Sequence, residues 1–205
     1  MSILVIADHN NETILPATLN AVAAASEIGG DISVLIAGSG CDAAANAAAE
    51  IAGVSTVLVA DADEYTYGLA ENVAPLISGI ASNYSHILAP ATTYGKNIMP
   101  RVAALIDTVQ ISDIIKVVDV ATFQRPIYAG NALATVSSNE AVKIITVRST
   151  AFEPAAASGG TAKIEAVPVT GEAGLSRFEK SELSKSERPE LTSAGIVVSL
   201  SLIHV

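Results

Sequence analysis

The chain has 205 residues, half of them apolar, with aromatics at only 4% and no tryptophan; that suffices for one ordinary domain whose core is filled by Ala, Val, Ile and Leu. Eleven basic against 21 acidic residues give a net charge of −10, which argues against nucleic acid as a partner, because its binding rests on Lys and Arg at phosphates. Cys41 is the single cysteine, so an internal disulfide is excluded and a reducing compartment is indicated.

The apolar run Ser2–Ala7 is too short for a signal h-region, and the first Lys or Arg is Lys96. The longest apolar stretch, Ile14–Ile28, is broken by Thr18, Asn20, Ser26 and Glu27 into an amphipathic pattern. These features predict a soluble protein with no membrane insertion.

Residues 1–110 alternate β-branched runs with helical stretches, the pattern of βαβ units and a parallel sheet. Strands are predicted at Ser2–Ala7, Asp31–Ala37, Ser55–Ala60 and Ser85–Ala89. Helices are predicted at Ile14–Ile28, closed by Gly29-Gly30, at Asp42–Ala52 and at Leu69–Ser82, where Pro75 is tolerated or marks a late start. A further helix, with Pro100 in its first turn, runs to about Ile106.

From Ser112 the pattern changes to consecutive strand-like runs, Ser112–Val120, Arg125–Tyr128, Ala132–Ser137 and Ala141–Arg148, with no helix between them. They predict an antiparallel extension on the parallel sheet, joined through Gly130-Asn131, with Asn139-Glu140 as a hairpin turn. Ala155–Gly160 is a small-residue loop, Ala162–Val169 an edge strand carrying Pro168, and Glu172–Glu190 a charged linker or surface helix. The fold class is therefore α/β, a doubly wound, mainly parallel sheet flanked by helices with added antiparallel strands.

Candidate chemistry is sparse. Gly38-x-Gly40-x-x-Ala43 follows a strand and opens a helix, with Asp61 ending the next strand. That spacing resembles a dinucleotide fingerprint, and it equally suits a tight strand-to-helix turn. Gly95-Lys96 is not a P-loop, because Pro90 stands where the leading glycine belongs and Asn97 where the magnesium-binding hydroxyl belongs. His9 beside Asp8 at a strand's carboxyl end is open to a catalytic role or to satisfying loop backbone. The acidic loop Asp61–Glu64 reads as a solvated turn rather than a metal site, and no catalytic or metal-ligating set emerges.

Several segments in one order resemble the first domain of the electron-transfer flavoprotein alpha subunit: Leu4–His9, Leu35–Gly38, Gly95–Ala104, Ile111–Ile115, Phe123–Ala132, Val147-Arg148, Ala156–Gly160, Arg188–Leu191 and Ile196–Ser199. The resemblance implies a Rossmann-like or adenine-nucleotide-hydrolase-like domain over 1–170. It further implies a charged linker over 171–193 and the first strand of a flavin domain over 194–205. In the family a Gly-Gly-Arg-Gly stretch follows that strand, whereas this chain reads Leu200-Ser-Leu-Ile-His-Val205, so the FAD contacts are expected beyond Val205.

Also implied is a heterodimer with a beta subunit. Such a pair carries electrons from acyl-CoA and related dehydrogenases of fatty acid and amino acid oxidation to a membrane quinone oxidoreductase. Its location is the bacterial cytoplasm or the mitochondrial matrix. This chain would supply scaffold and interface rather than an enzyme's active site, and would not retain FAD. The partner subunit binds AMP, and the equivalent place here, treated as a degenerate nucleotide site, comprises Asp8, Gly38, Ser39, Thr92, Gly95 and Lys96. Arg125 either makes a structural ion pair or faces the flavin or partner. Two alternatives stand beside this reading: a nucleotide-binding module using the Gly38-x-Gly40 turn, and a stand-alone interaction protein.

Overall fold

The structure, a computed structural model, describes residues 1–182, 194 and 196–199. Four strands alternate with four helices first: β1 (Ser2–Ile6), α1 (Pro16–Ile28), β2 (Asp31–Gly38), α2 (Asp42–Ala49), β3 (Val54–Asp61), α3 (Ala70–Ile80), β4 (His86–Pro90) and α4 (Thr93–Leu105). Six strands follow: β5 (Gln110–Ile114), β6 (Lys116–Val117), β7 (Thr122–Ile127), β8 (Ala132–Ser137), β9 (Lys143–Val147) and β10 (Lys163–Ala166). The main sheet is parallel in every pairing, in the order β10-β3-β2-β1-β4-β9-β5. No helix among the described residues is long and apolar enough to cross a membrane.

Side chains alternate across a strand, and here both faces are covered. Ile3, Val5 and Ala7 pack with residues of α1 and α2, while Leu4 and Ile6 pack with α3 and α4. This is the doubly wound arrangement expected from the sequence. Burying an Ile or Leu of β1 contributes about 1.5–3 kcal/mol, and Ile3, Leu4 and Val5 are all fully buried.

Helix boundaries shift for identifiable reasons. Ile14 is held in a bridge to His9, so α1 begins at Pro16, whose fixed φ suits a first helical turn. α2 stops at Ala49 rather than Ala52 because another segment takes its last carbonyls. Gly160 N donates to Glu50 O at 2.7 Å and Ala162 N to Ala49 O at 3.0 Å. A Cβ at Gly160 would lie 2.2 Å from the Ile51 carbonyl oxygen, so the Ala155–Gly160 loop needs its glycine there. Pro100 lies in the interior of α4, not in its first turn, because Thr92 caps the helix earlier. Pro100 offers no N–H to the Lys96 carbonyl, and it lies on the exposed side. Pro75 likewise stands inside α3.

The region after α4 corrects two expectations. The antiparallel strands do not extend the parallel sheet; β6, β7 and β8 form a separate sheet. Asn139-Glu140 is not a hairpin turn but the passage from β8 back to the main sheet. The hairpin lies between β7 and β8. Burial explains the division. In β9, Ile144 faces one core and Ile145 and Val147 the other, so it fits only between β4 and β5 in a sheet covered on both sides. In β8, Leu133, Thr135 and Ser137 are exposed, so one face suffices for it.

Three apolar side chains help to moor the small sheet: fully buried Phe123, and the partly buried Val117 and Val136, all packed in the core on the α1 side. β10 is an edge strand on β3, as expected, but it ends at Ala166 and leaves Pro168 beyond it instead of within it. Residues 171–182 form no helix. The remainder of the expected linker, 183–193, lies outside the described residues. Residues 194 and 196–199 belong to no strand, and the rest of the expected 194–205 strand lies outside the described residues.

His86 links the two sheets. Its Nε2 donates to the Val120 carbonyl at 2.7 Å and its Nδ1 contacts the Ser85 hydroxyl at 2.9 Å. Burial depresses its pKa; the Val120 carbonyl opposes the depression and Lys143 adds to it. With the folded pKa below the unfolded value near 6.5, the unfolded chain binds more protons as pH falls. The stabilising contribution is complete above about pH 6.5 and is lost as pH drops toward the folded value. His86→Leu is expected to cost about 1–3 kcal/mol at pH 7.5 and to cost less at pH 5, as measured by urea denaturation at both pH values.

Candidate functional site at the carboxyl edge of the sheet

Winding reverses between β1 and β4, and in open α/β sheets the crevice at such a switch point is where ligands bind. Four segments meet there: the loop after β1, the turn before α2, the connection from β3 to α3, and the start of α4.

Asp8, 8% exposed, bridges the reversal. Its Oδ2 accepts the Thr92 hydroxyl at 2.7 Å, and Thr92 Oγ1 in turn accepts Gly95 N at 3.3 Å as the cap of α4. The Asp8 amide donates to Thr18 Oγ1 at 2.9 Å, so α1 is tied to the same point. Gly95 is required by close packing: a Cβ there would lie 2.0 Å from the Pro90 carbonyl oxygen. Lys96 is exposed on α4 and pairs with no carboxylate among the described residues.

The Gly38–Gly40 turn is filled from within. Asn11, at φ +70°, accepts from Ser39 N at 3.3 Å, and its amide donates to the Thr66 carbonyl at 3.1 Å. A Cβ at Gly38 would lie 2.2 Å from Asn11 Oδ1. Asp61 then receives the next two amides, Gly40 N at 3.0 Å and Cys41 N at 3.3 Å. Asp63 accepts the Ser39 hydroxyl at 3.1 Å. A helix amino terminus is a ready site for an anion, and here the anion is the chain's own carboxylate. Burial, with the Asp61 charge beside it, pushes the Cys41 thiol up to about 11.

A cleft of about 290 Å³ opens beside this turn, lined by residues 9–11, Ala37, residues 65–68 and Tyr94. His9 Nδ1 accepts from Asn11 N at 3.1 Å, which leaves a donor on Nε2; Nε2 is buried without a well-formed hydrogen bond. Burial lowers the His9 pKa, with the Ala37 carbonyl and Asp8 opposing. Burial, reinforced by the Asp8 charge, raises that of the Tyr94 hydroxyl. The lining holds donors and rings but no Lys or Arg. Among the described residues no cluster of His, Cys, Asp and Glu is arranged to hold a metal.

Of the six residues expected together, Asp8, Thr92 and Gly95 form one hydrogen-bonded chain, Gly38 and Ser39 meet Asn11, and Lys96 stands apart. Sequence reasoning missed Asn11 and the capping role of Asp61. The position of Asp61, at the end of the strand after the glycine turn, was the available signal. Asp61→Ala is expected to destabilise the domain by about 1 kcal/mol, measured as a lowered denaturation midpoint. Millimolar AMP or ATP should leave the melting temperature of the unaltered chain unchanged.

Residues 3–172 match the Electron transfer flavoprotein domain family. The chain is 61% identical over 199 residues to the electron transfer flavoprotein subunit alpha of Pseudomonas aeruginosa, covering 97% of this chain and 64% of that protein. It is 48% identical over 212 residues to the mitochondrial alpha subunit of Dictyostelium discoideum, covering 96% and 60%. The alpha subunit of Paracoccus denitrificans is 48% identical over 200 residues, covering 97% and 64%. The chain thus spans less than two thirds of the length of these curated relatives. It belongs to the electron transfer flavoprotein family and corresponds to the N-terminal domain of its alpha subunits.

Proposed function

We propose that this chain is the scaffold and partner-facing domain of an electron-carrying alpha subunit, part of a carrier rather than an enzyme. The observation that carries this reading is the exposed sheet β6-β7-β8. Val118 and Val120 are each 49% exposed, Leu133 60% and Tyr128 80%. Arg125 has a buried Nε without a hydrogen-bond partner and makes no ion pair with a carboxylate among the described residues. At the hairpin tip Tyr128, Ala129 and Gly130 take φ of +50°, +54° and +91° in succession. Two non-glycine residues held in that region are strained, and the strain presents the Tyr128 ring outward.

The relatives are named subunit alpha, a name that presupposes an unlike partner. A beta subunit is therefore the proposed occupant of this face. Tyr128→Ala and Leu133→Ser are each expected to weaken binding to purified beta subunit about tenfold or more, since Tyr is a frequent interface anchor and a serine at 133 loses the apolar area that Leu133 would bury. Ile164→Ser, on the opposite edge strand, serves as the control. Unchanged affinity in both hairpin variants, measured by calorimetry, would overturn the assignment.

In the whole protein the proposed role is to move electrons from acyl-CoA and related dehydrogenases to a membrane quinone oxidoreductase, with FAD in the alpha subunit and AMP in the partner. The bacterial and mitochondrial relatives support a setting in the bacterial cytoplasm or the mitochondrial matrix. The described residues do not suit a flavin: the cleft is at the small end of ligand sites, roughly 300–1,000 Å³. It lacks a cation for the pyrophosphate, and the amides of residues 39–41 are already taken. This supports placing FAD outside them. The 205-residue chain, purified alone, should show no flavin absorbance; near-stoichiometric flavin would contradict the reading.

A further inference from the structure

After β10 the chain does not leave the domain. We propose that residues 167–178 form a clasp, an extended segment docked on a dedicated surface made by the β3–α3 connection and the first turn of α3. Val167 N donates to the Val59 carbonyl at 2.9 Å, continuing the edge of the sheet. Beyond it the contacts pass to side chains of a single stretch, residues 65–72. The Tyr65 hydroxyl accepts Thr170 N at 3.0 Å and lies 3.1 Å from Thr170 Oγ1. Asn72 Oδ1 accepts Ala173 N at 3.0 Å, while its amide is held by the Glu64 carbonyl at 2.8 Å. Glu71 Oε2 accepts the Ser176 hydroxyl at 3.0 Å, and its other oxygen receives Arg101 at 3.1 Å. The Phe178 ring then stacks on Tyr67, 3.7 Å between centroids and 10° from parallel.

The receiving groups are also held by residues outside the segment. Tyr65 and Asn72 are 1% and 3% exposed with the segment in place, and the Asn72 amide is fixed by the Glu64 carbonyl. Glu71 is oriented by Arg101 across the α3–α4 contact. The segment supplies partners for this surface: two backbone N–H donors at 170 and 173, a hydroxyl donor at 176 and, at 178, a ring that covers Tyr67. Exposed single contacts of this kind are weak, but four on one short stretch order it as a unit. The clasp makes Phe178, not Ala166, the point from which any following chain starts. A dozen residues released from it would reach roughly 40 Å when extended, so docking restricts where a following segment can go.

The test uses the intact chain, by amide exchange and nuclear magnetic resonance. Thr170 and Ala173 amides are expected to exchange about tenfold or more slowly than unstructured chain, and the Tyr67 ring protons to be shifted by the stacked Phe178. Tyr65→Phe keeps the buried ring and removes only the hydroxyl; Phe178→Ala alters an outlying side chain. A clasp predicts cross-talk: Phe178→Ala speeds exchange at Thr170 and Ala173, Tyr65→Phe diminishes the Tyr67 shift, and the amides of β1 and β2 stay protected in both. Unprotected Thr170 and Ala173 in the parent chain, or variants that each disturb only their own contact, would overturn the proposal.

Discussion

β1 is buried on both faces, and the placement of the other elements depends on that burial. Because Ile3 and Val5 need one layer of helices and Leu4 and Ile6 another, the chain must wind first to one side and then back to the other. The reversal leaves the carboxyl end of β1 between β2 and β4, and Asp8 stands at that end as a buried carboxylate needing partners. The Thr92 hydroxyl meets that need at the carboxylate, and the Thr18 hydroxyl holds the Asp8 backbone N–H and carbonyl. One hydrogen-bond chain thereby fixes the start of α4 and the first turn of α1 relative to the same strand.

The switch point resembles a nucleotide-binding crevice in outline and differs from one in its polar atoms. A fingerprint glycine turn leaves amides free for a pyrophosphate. Here Asn11 fills the space over Gly38, and Asp61 receives the amides of Gly40 and Cys41. The backbone geometry is retained while the electrostatics are closed off by the protein itself. The cleft beside it offers aromatic rings and neutral donors instead of positive charge. Family membership fits this division, since the recognisable signature is spread along the scaffold and is not concentrated in one reactive cluster.

Local pattern carried the first half of the fold well. Strands near 2–7, 31–37, 55–60 and 85–89 emerge from runs of β-branched residues between glycines, and the helices from Ala-rich stretches between them. The second half depended on which faces would be covered, and that is a tertiary property. Runs at Ala132–Ser137 and Ala141–Arg148 look alike locally, yet Leu133 and Thr135 face solvent whereas Ile144 and Ile145 face two different cores. Their separation into two sheets followed from a partner choice that no window of residues encodes. The same holds for the end of α2, set by Gly160 from more than a hundred residues away, and for Asn11, whose role rests on a positive φ that its sequence neighbours do not announce. The tie from Thr170 to Tyr65 is of this kind too, since its acceptor lies more than a hundred residues away in the sequence.

The capped amino end of α2 also determines the chemistry of the chain's single sulfur. Cys41 is buried, and its thiol lies 3.8 Å from the same carboxylate that holds the helix. Anionic thiolate is the reactive form, and at neutral pH this sulfur is almost wholly protonated. The closed molecule therefore presents little thiolate to attack an alkylating reagent or a disulfide. Separation of the turn from Asp61 would lift this constraint, and the rate of Cys41 labelling is expected to rise with such opening. The protein thus carries an intrinsic reporter on the stability of its own glycine turn, independent of any flavin or partner.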